Sequence, residues 1–97
     1  MLALLKQYKP FDTPDDTLEV LFYEVGEVSK CVHHARNFPR LKTGYRGELK
    51  VALADAYAQL QLLAEWFEIP MAELQQLAVI RFEESLREKF AVRPDER

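Results

Sequence analysis

The sequence predicts an all-α bundle of three long helices and a short N-terminal one, completed by oligomerisation, and three observations predict it. Apolar residues recur at three- and four-residue intervals, and no segment alternates with the two-residue period of a strand. Prolines stand where helices start or stop, at Pro10, Pro14, Pro39 and Pro70. The longest apolar stretch, Gly47–Glu68 (GELKVALADAYAQLQLLAEWFE), is of helical length and carries apolar residues on most of its circumference.

The first element is short: Leu2, Leu4, Leu5 and Tyr8 give it one apolar side, and Pro10 ends it. The segment Asp12-Thr13-Pro14-Asp15-Asp16 starts a second helix. Thr13 can cap, proline suits the first helical position, and the aspartates favour the positive end of the helix dipole. That helix is expected from Pro14 to about Arg36, with Leu18, Leu21, Phe22, Val25, Val28 and Val32 as its buried stripe. Asn37-Phe38-Pro39 breaks it, because the residue before a proline is steered away from helical angles. A basic connector follows (Arg36, Arg40, Lys42, Arg46 and Lys50, with Gly44 for a turn), and the third helix is expected from Gly47 to the break at Ile69-Pro70. The fourth runs from Pro70 to about Phe90 with Leu74, Leu77, Ala78, Phe82 and Leu86 on its apolar side. A single domain covers 1–97, with its core in 12–90 and a frayed tail in 91–97.

The totals narrow the function. A net charge of −3 argues against a nucleic-acid binder that works through a global positive field. Cys31 is the only cysteine, so no disulfide forms within the chain and a thiolate zinc cluster would need other chains. The start, MLALLKQYK, has too short an apolar run for a signal peptide or membrane span, so the expected location is cytoplasmic.

Acids inside apolar runs carry the chemistry. Glu24 and Glu27 stand three residues apart, about 4.5 Å along a helix axis and on one face. Two carboxylates so placed can hold a hard cation, Mg²⁺ or Mn²⁺, although such pairs also occur on plain solvated faces. Gly26 between them costs about 1 kcal/mol in a helix, which points to another backbone packed close by. Asp55, flanked by Ala52, Ala54, Ala56 and Ala58, supplies an acid on the third helix. Its plainer reading is a buried aspartate hydrogen-bonded to Tyr57, Gln59 or a neighbouring hydroxyl. Glu27, Cys31 and His34 share a helical face that zinc can use, but no fourth ligand is near in sequence. Trp66 and Phe67 read as core or subunit interface.

FYEVGEV at Phe22–Val28 resembles the EExGEL segment of the MazG-like nucleotide pyrophosphohydrolases. ALADAYAQLQLLAEWFEI at Ala52–Ile69 resembles their ELADVLIYLLRLADRLGI segment, and the order of elements agrees from about Asp12 to Phe90. The resemblance implies an all-α fold, assembly as a homodimer or homotetramer that shares helices, and Mg²⁺-dependent cleavage of a (d)NTP to (d)NMP and pyrophosphate. Carried over position by position, it implies Glu24, Glu27 and Asp55 as metal-binding and catalytic acids. Tyr23 and Ala52 stand where the family has glutamates, and Ala52 removes an expected ligand. Glu48, one turn before Ala52, is a substitute ligand reaching in through water or substrate. For the triphosphate, the resemblance implies Arg81, and the basic connector offers Lys42 and Arg46. The alternative is a MazG-type module that binds a nucleotide or a protein without turnover. A helical scaffold with no site is the third reading.

Overall fold

A computed structural model of the chain describes residues 1–38 and 42–91, residues 42–44 by their backbone alone. Residues 92–97 of the frayed tail expected over 91–97, and Arg40 of the connector, lie outside the described residues. Four helices and no strand occur among those described: α1 (Leu2–Tyr8), α2 (Pro14–Asn37), α3 (Lys42–Trp66) and α4 (Met71–Lys89). No described helix is long and apolar enough to cross a membrane.

The start of α2 forms as the Thr-Pro-Asp-Asp run dictates. The Thr13 backbone N–H donates to Asp16 Oδ2 at 2.8 Å and the Thr13 hydroxyl to the same oxygen at 3.1 Å. The third helix departs from expectation. It begins at Lys42, so Gly44 and Arg46 belong to its first turns rather than to a loop. Two glycines and three basic residues made that stretch look irregular, yet neither residue type forbids a helix that is continued by fifteen good formers.

The end of α3 is a Schellman motif. The Ile69 N–H reaches Ala64 O at 2.8 Å and the Glu68 N–H reaches Glu65 O at 3.1 Å. Glu68 occupies the left-handed position, with φ 57°, where a glycine is usual. Replacing Glu68 by glycine is therefore expected to raise stability by about 0.5–1 kcal/mol, the side-chain clash removed outweighing the added freedom of the unfolded chain. A urea midpoint unchanged or lowered in Glu68→Gly would show that this position is unstrained.

α2 and α3 form an antiparallel hairpin, pinned at both ends. Trp66 Nε1 donates to Thr17 Oγ1 at 3.0 Å, and the rings of His34 and Tyr45 lie 5.2 Å apart at the other end. The covered positions of α2 (Thr17, Leu21, Glu24, Val28, Cys31) recur at helical spacing, as do Ala52, Ala56, Gln59 and Leu63 of α3. These two rows make the seam. Thr17 is its most enclosed residue, 2% exposed, and its hydroxyl is satisfied by the indole. α1 packs on the far end of α3, where Glu65 Oε2 accepts the Leu2 N–H at 2.9 Å and the Lys6 ammonium sits 4.9 Å from the Trp66 ring centroid.

Of the six residues expected in the apolar stripe of α2, two are covered and four are not. Leu21 and Val28 meet α3, whereas Leu18, Phe22, Val25 and Val32 are exposed. The stripe is wider than one neighbouring helix can cover. α3 likewise is not enclosed on several sides: Val51, Leu53, Tyr57 and Leu60 face out. Among the described residues nothing lies within 4 Å of a Cβ built on Gly26, so none of their backbone packs against that glycine. α4 buries no residue; its one side-chain link to the hairpin runs from Gln75 Nε2 to the Tyr57 hydroxyl at 2.9 Å.

Candidate functional site

The seam turns one flank of each helix into the walls of a groove. The i, i+3, i+7 spacing that puts Glu24, Glu27 and Cys31 together on α2, continued to His34, is met across the seam by Glu48, Ala52 and Asp55 at i, i+4, i+7 on α3. Together they line a cavity of about 640 Å³, to which Tyr23 and Lys30 also contribute.

The antiparallel pairing sets which residues share a level. Residue 17 meets 66 and residue 34 meets 45. Between these pins Asp55 comes level with Glu24 and Glu27, and Glu48 with Cys31 and His34. Glu48 and Asp55 are seven residues apart, about 10 Å along the axis. The groove thus has one end with three acids and another with Glu48, Lys30 and His34.

Among the described residues, none of Glu24, Glu27, Glu48 and Asp55 has a side-chain hydrogen bond or ion pair. Asp55 is exposed and free of Tyr57, whose hydroxyl is taken by Gln75, which overturns the reading of a buried, internally bonded aspartate. Glu24 and Glu27 are half-buried. Ala52 is 6% exposed at the junction of seam and groove, so a longer side chain there has the groove as its outlet.

The carboxylates are hard oxygen donors, the type magnesium selects. No three His, Cys, Asp or Glu side chains among the described residues are gathered closely enough to hold one ion between them. Neither a cage for a stripped cation nor the Glu27–Cys31–His34 zinc set is therefore preassembled among the described residues. It fits the way magnesium is ordinarily held, with several waters retained and one or two carboxylates assisted by substrate phosphates. Cys31 is buried in the seam, and His34 is placed against Tyr45 and Phe38.

The cationic side expected for the triphosphate is only partly legible. Arg46 lines a separate cavity with Lys50, Leu49 and Leu53, and Arg81 on α4 lines no wall of the acidic groove. The Lys42 side chain lies outside the described ones. Lys30 is the basic residue that does line the groove, and sequence reasoning passed over it. The signal was available: Lys30 follows Glu27 by three residues and precedes His34 by four, on the same flank.

No protein-family model, curated protein or solved structure matches this chain.

Proposed function

We propose that the α2–α3 groove binds a hydrated divalent cation, Mg²⁺ or Mn²⁺, together with the phosphates of a nucleoside triphosphate. On this reading the chain is a nucleotide pyrophosphohydrolase of MazG type that converts (d)NTP to (d)NMP and pyrophosphate. The observation that carries the reading is the set of unpartnered carboxylates, Glu24 and Glu27 on one wall and Asp55 on the other, level with one another in one cavity. Three acids at one end of the groove, none with a protein partner among the described residues, offer oxygen ligands to a cation.

When bound, the cation supplies charge neutralisation and polarises the phosphate. Glu24, Glu27 and Asp55 are the residues that would hold it, and a carboxylate of this set orients a water for in-line attack on the α-phosphorus. One of these carboxylates takes the proton of that water, the bond from the α-phosphorus to the bridging oxygen breaks, and pyrophosphate leaves. Lys30 meets phosphate charge from the α2 wall, while Glu48 reaches substrate through water.

A second reading, binding of a nucleotide without turnover, is favoured by one observation. Ala52 occupies the seam edge where the resemblance implies a fourth acid, so that end of the groove has three carboxylates in place of four. Pyrophosphate release from a panel of canonical and modified (d)NTPs, with Mg²⁺ or Mn²⁺, tests the enzyme. Release lost in Asp55→Asn supports hydrolysis. A metal-dependent rise in melting temperature with nucleotide, but no release, selects the binding module. Neither effect with any nucleotide would leave a scaffold and refute both readings.

A further inference from the structure

We infer that the end of the groove walled by Glu48 and His34 receives the base of the nucleotide and selects guanine, an assignment that rests on the proposed seating of cation and phosphates among the three acids. Side chains on a helix lean toward its N-terminus. Lys30 on α2 therefore leans toward Glu27, and its ammonium joins the acid end, where phosphate charge gathers. Glu48 on α3 leans the other way, toward Tyr45, which carries its carboxylate away from Asp55 to the level of His34. A phosphate brought there would face a like charge, whereas an uncharged base with N–H donors finds an acceptor.

The same end is shaped for a flat ring. His34 lines the cavity while Tyr45 and Phe38 do not, so these two rings back the imidazole, with centroids 5.2 Å and 6.1 Å from it. Both distances are those of paired aromatics, and together they hold the imidazole as a shelf. Gly47, beside Glu48 in the cavity wall, has no side chain, and a Cβ built on it would meet no described atom within 4 Å. A ring can approach the α3 backbone there. Seven residues, about 10 Å of helix, separate Glu48 from Asp55 and leave length for a ribose between base and phosphate. Tyr23, the aromatic at the other end, adjoins Glu24 and leaves none.

Stacking on an aromatic side chain accepts any base, so selection falls to Glu48. That residue is exposed and has no side-chain hydrogen bond or ion pair among the described residues. Its two oxygens match a ligand that presents two N–H donors side by side, the bidentate arrangement. Guanine presents that pair in its ring N–H and its amino group. Adenine and cytosine set an amino group beside a bare ring nitrogen, which the second oxygen repels. Uracil and thymine set one N–H between two carbonyl oxygens, the poorest match. Glu48 thus meets guanine directly and the other bases through water.

Calorimetric titration of the full chain, with Mg²⁺ and the α,β-methylene analogues of GTP, ATP, CTP and UTP, reads binding alone, because these analogues cannot be split at that bridge. The GTP analogue is expected to bind about tenfold tighter than the UTP analogue, with the other two between. In Glu48→Gln the side-chain amide both donates and accepts, so it pairs with uracil, and the ratio is expected to fall close to one. Equal affinity for all four in the unaltered chain, or an order led by another base, overturns the inference. So does a guanine preference that Glu48→Gln leaves intact. Magnesium tripolyphosphate, which has no base, separates this assignment from the reading beneath it. If it binds and the bases are not told apart, the base subsite alone falls. If neither it nor any analogue binds, the seating of metal and phosphates falls and takes the base subsite with it.

Discussion

Truncating Trp66 to alanine is expected to cost about 3 kcal/mol, a large part of what a chain with so small a core can have. Six residues are buried among those described, and the indole bridges the most enclosed of them, Thr17, to the lower end of α3. Its loss leaves the Thr17 hydroxyl without its partner and removes the ring that the Lys6 ammonium covers. Trp66→Phe retains most of the volume and is expected to cost about 1 kcal/mol, chiefly through the orphaned hydroxyl. Urea unfolding followed by circular dichroism checks both, since the only tryptophan, the natural fluorescence probe, is gone. A cost below about 0.5 kcal/mol for both variants would mean the pin does not hold the hairpin.

Ala52→Glu is expected to behave oppositely with and without magnesium. In chelator, a glutamate at this nearly covered site should destabilise the chain by about 1–3 kcal/mol, from overpacking the seam and adding a like charge beside Glu27 and Asp55. With millimolar Mg²⁺ most of that loss is recovered, because a ligand that binds only the folded state stabilises it. Pyrophosphate release should rise at the same time if the groove hydrolyses nucleotides. Thermal melts of the variant across a magnesium titration check the first part. A destabilisation that magnesium does not relieve would remove position 52, and with it the acidic groove, from metal chemistry.

The helix starts and stops were legible because capping and proline act locally. Thr13 through Asp16, Pro10 and Pro70 needed no tertiary information. The start of α3 was not, since Gly44 and a run of basic residues carry no signal that separates a loop from the solvated first turns of a helix. Nor could a sequence show Thr17 meeting Trp66, a pairing across forty-nine positions in which neither residue has a local pattern. The groove was legible at Glu24 and Glu27, which share a helical spacing, and at Asp55, an acid inside an apolar run of the next helix. Lys30 was missed because it looked like an ordinary solvated lysine, and Arg81 was favoured on family resemblance although α4 does not reach the groove. The outward apolar rows misled in one direction: periodicity shows that a face needs cover, not which chain provides it. Hence Asp55 was expected under neighbours and is exposed.

The alanines of the seam set a gauge for everything built on the hairpin. Ala52 and Ala56 are small and buried, the kind of residue that lets two helix axes come toward the short end of the usual range, roughly 8 Å. The spacing of the two helices in turn sets how far apart the carboxylates of the opposing walls stand. Ala56→Leu would act as a wedge, spreading both the acidic cleft in front and the greasy platform behind by the same few tenths of an ångström to an ångström. Two surfaces that share no residue would therefore respond together to three added carbons in the spacer between them.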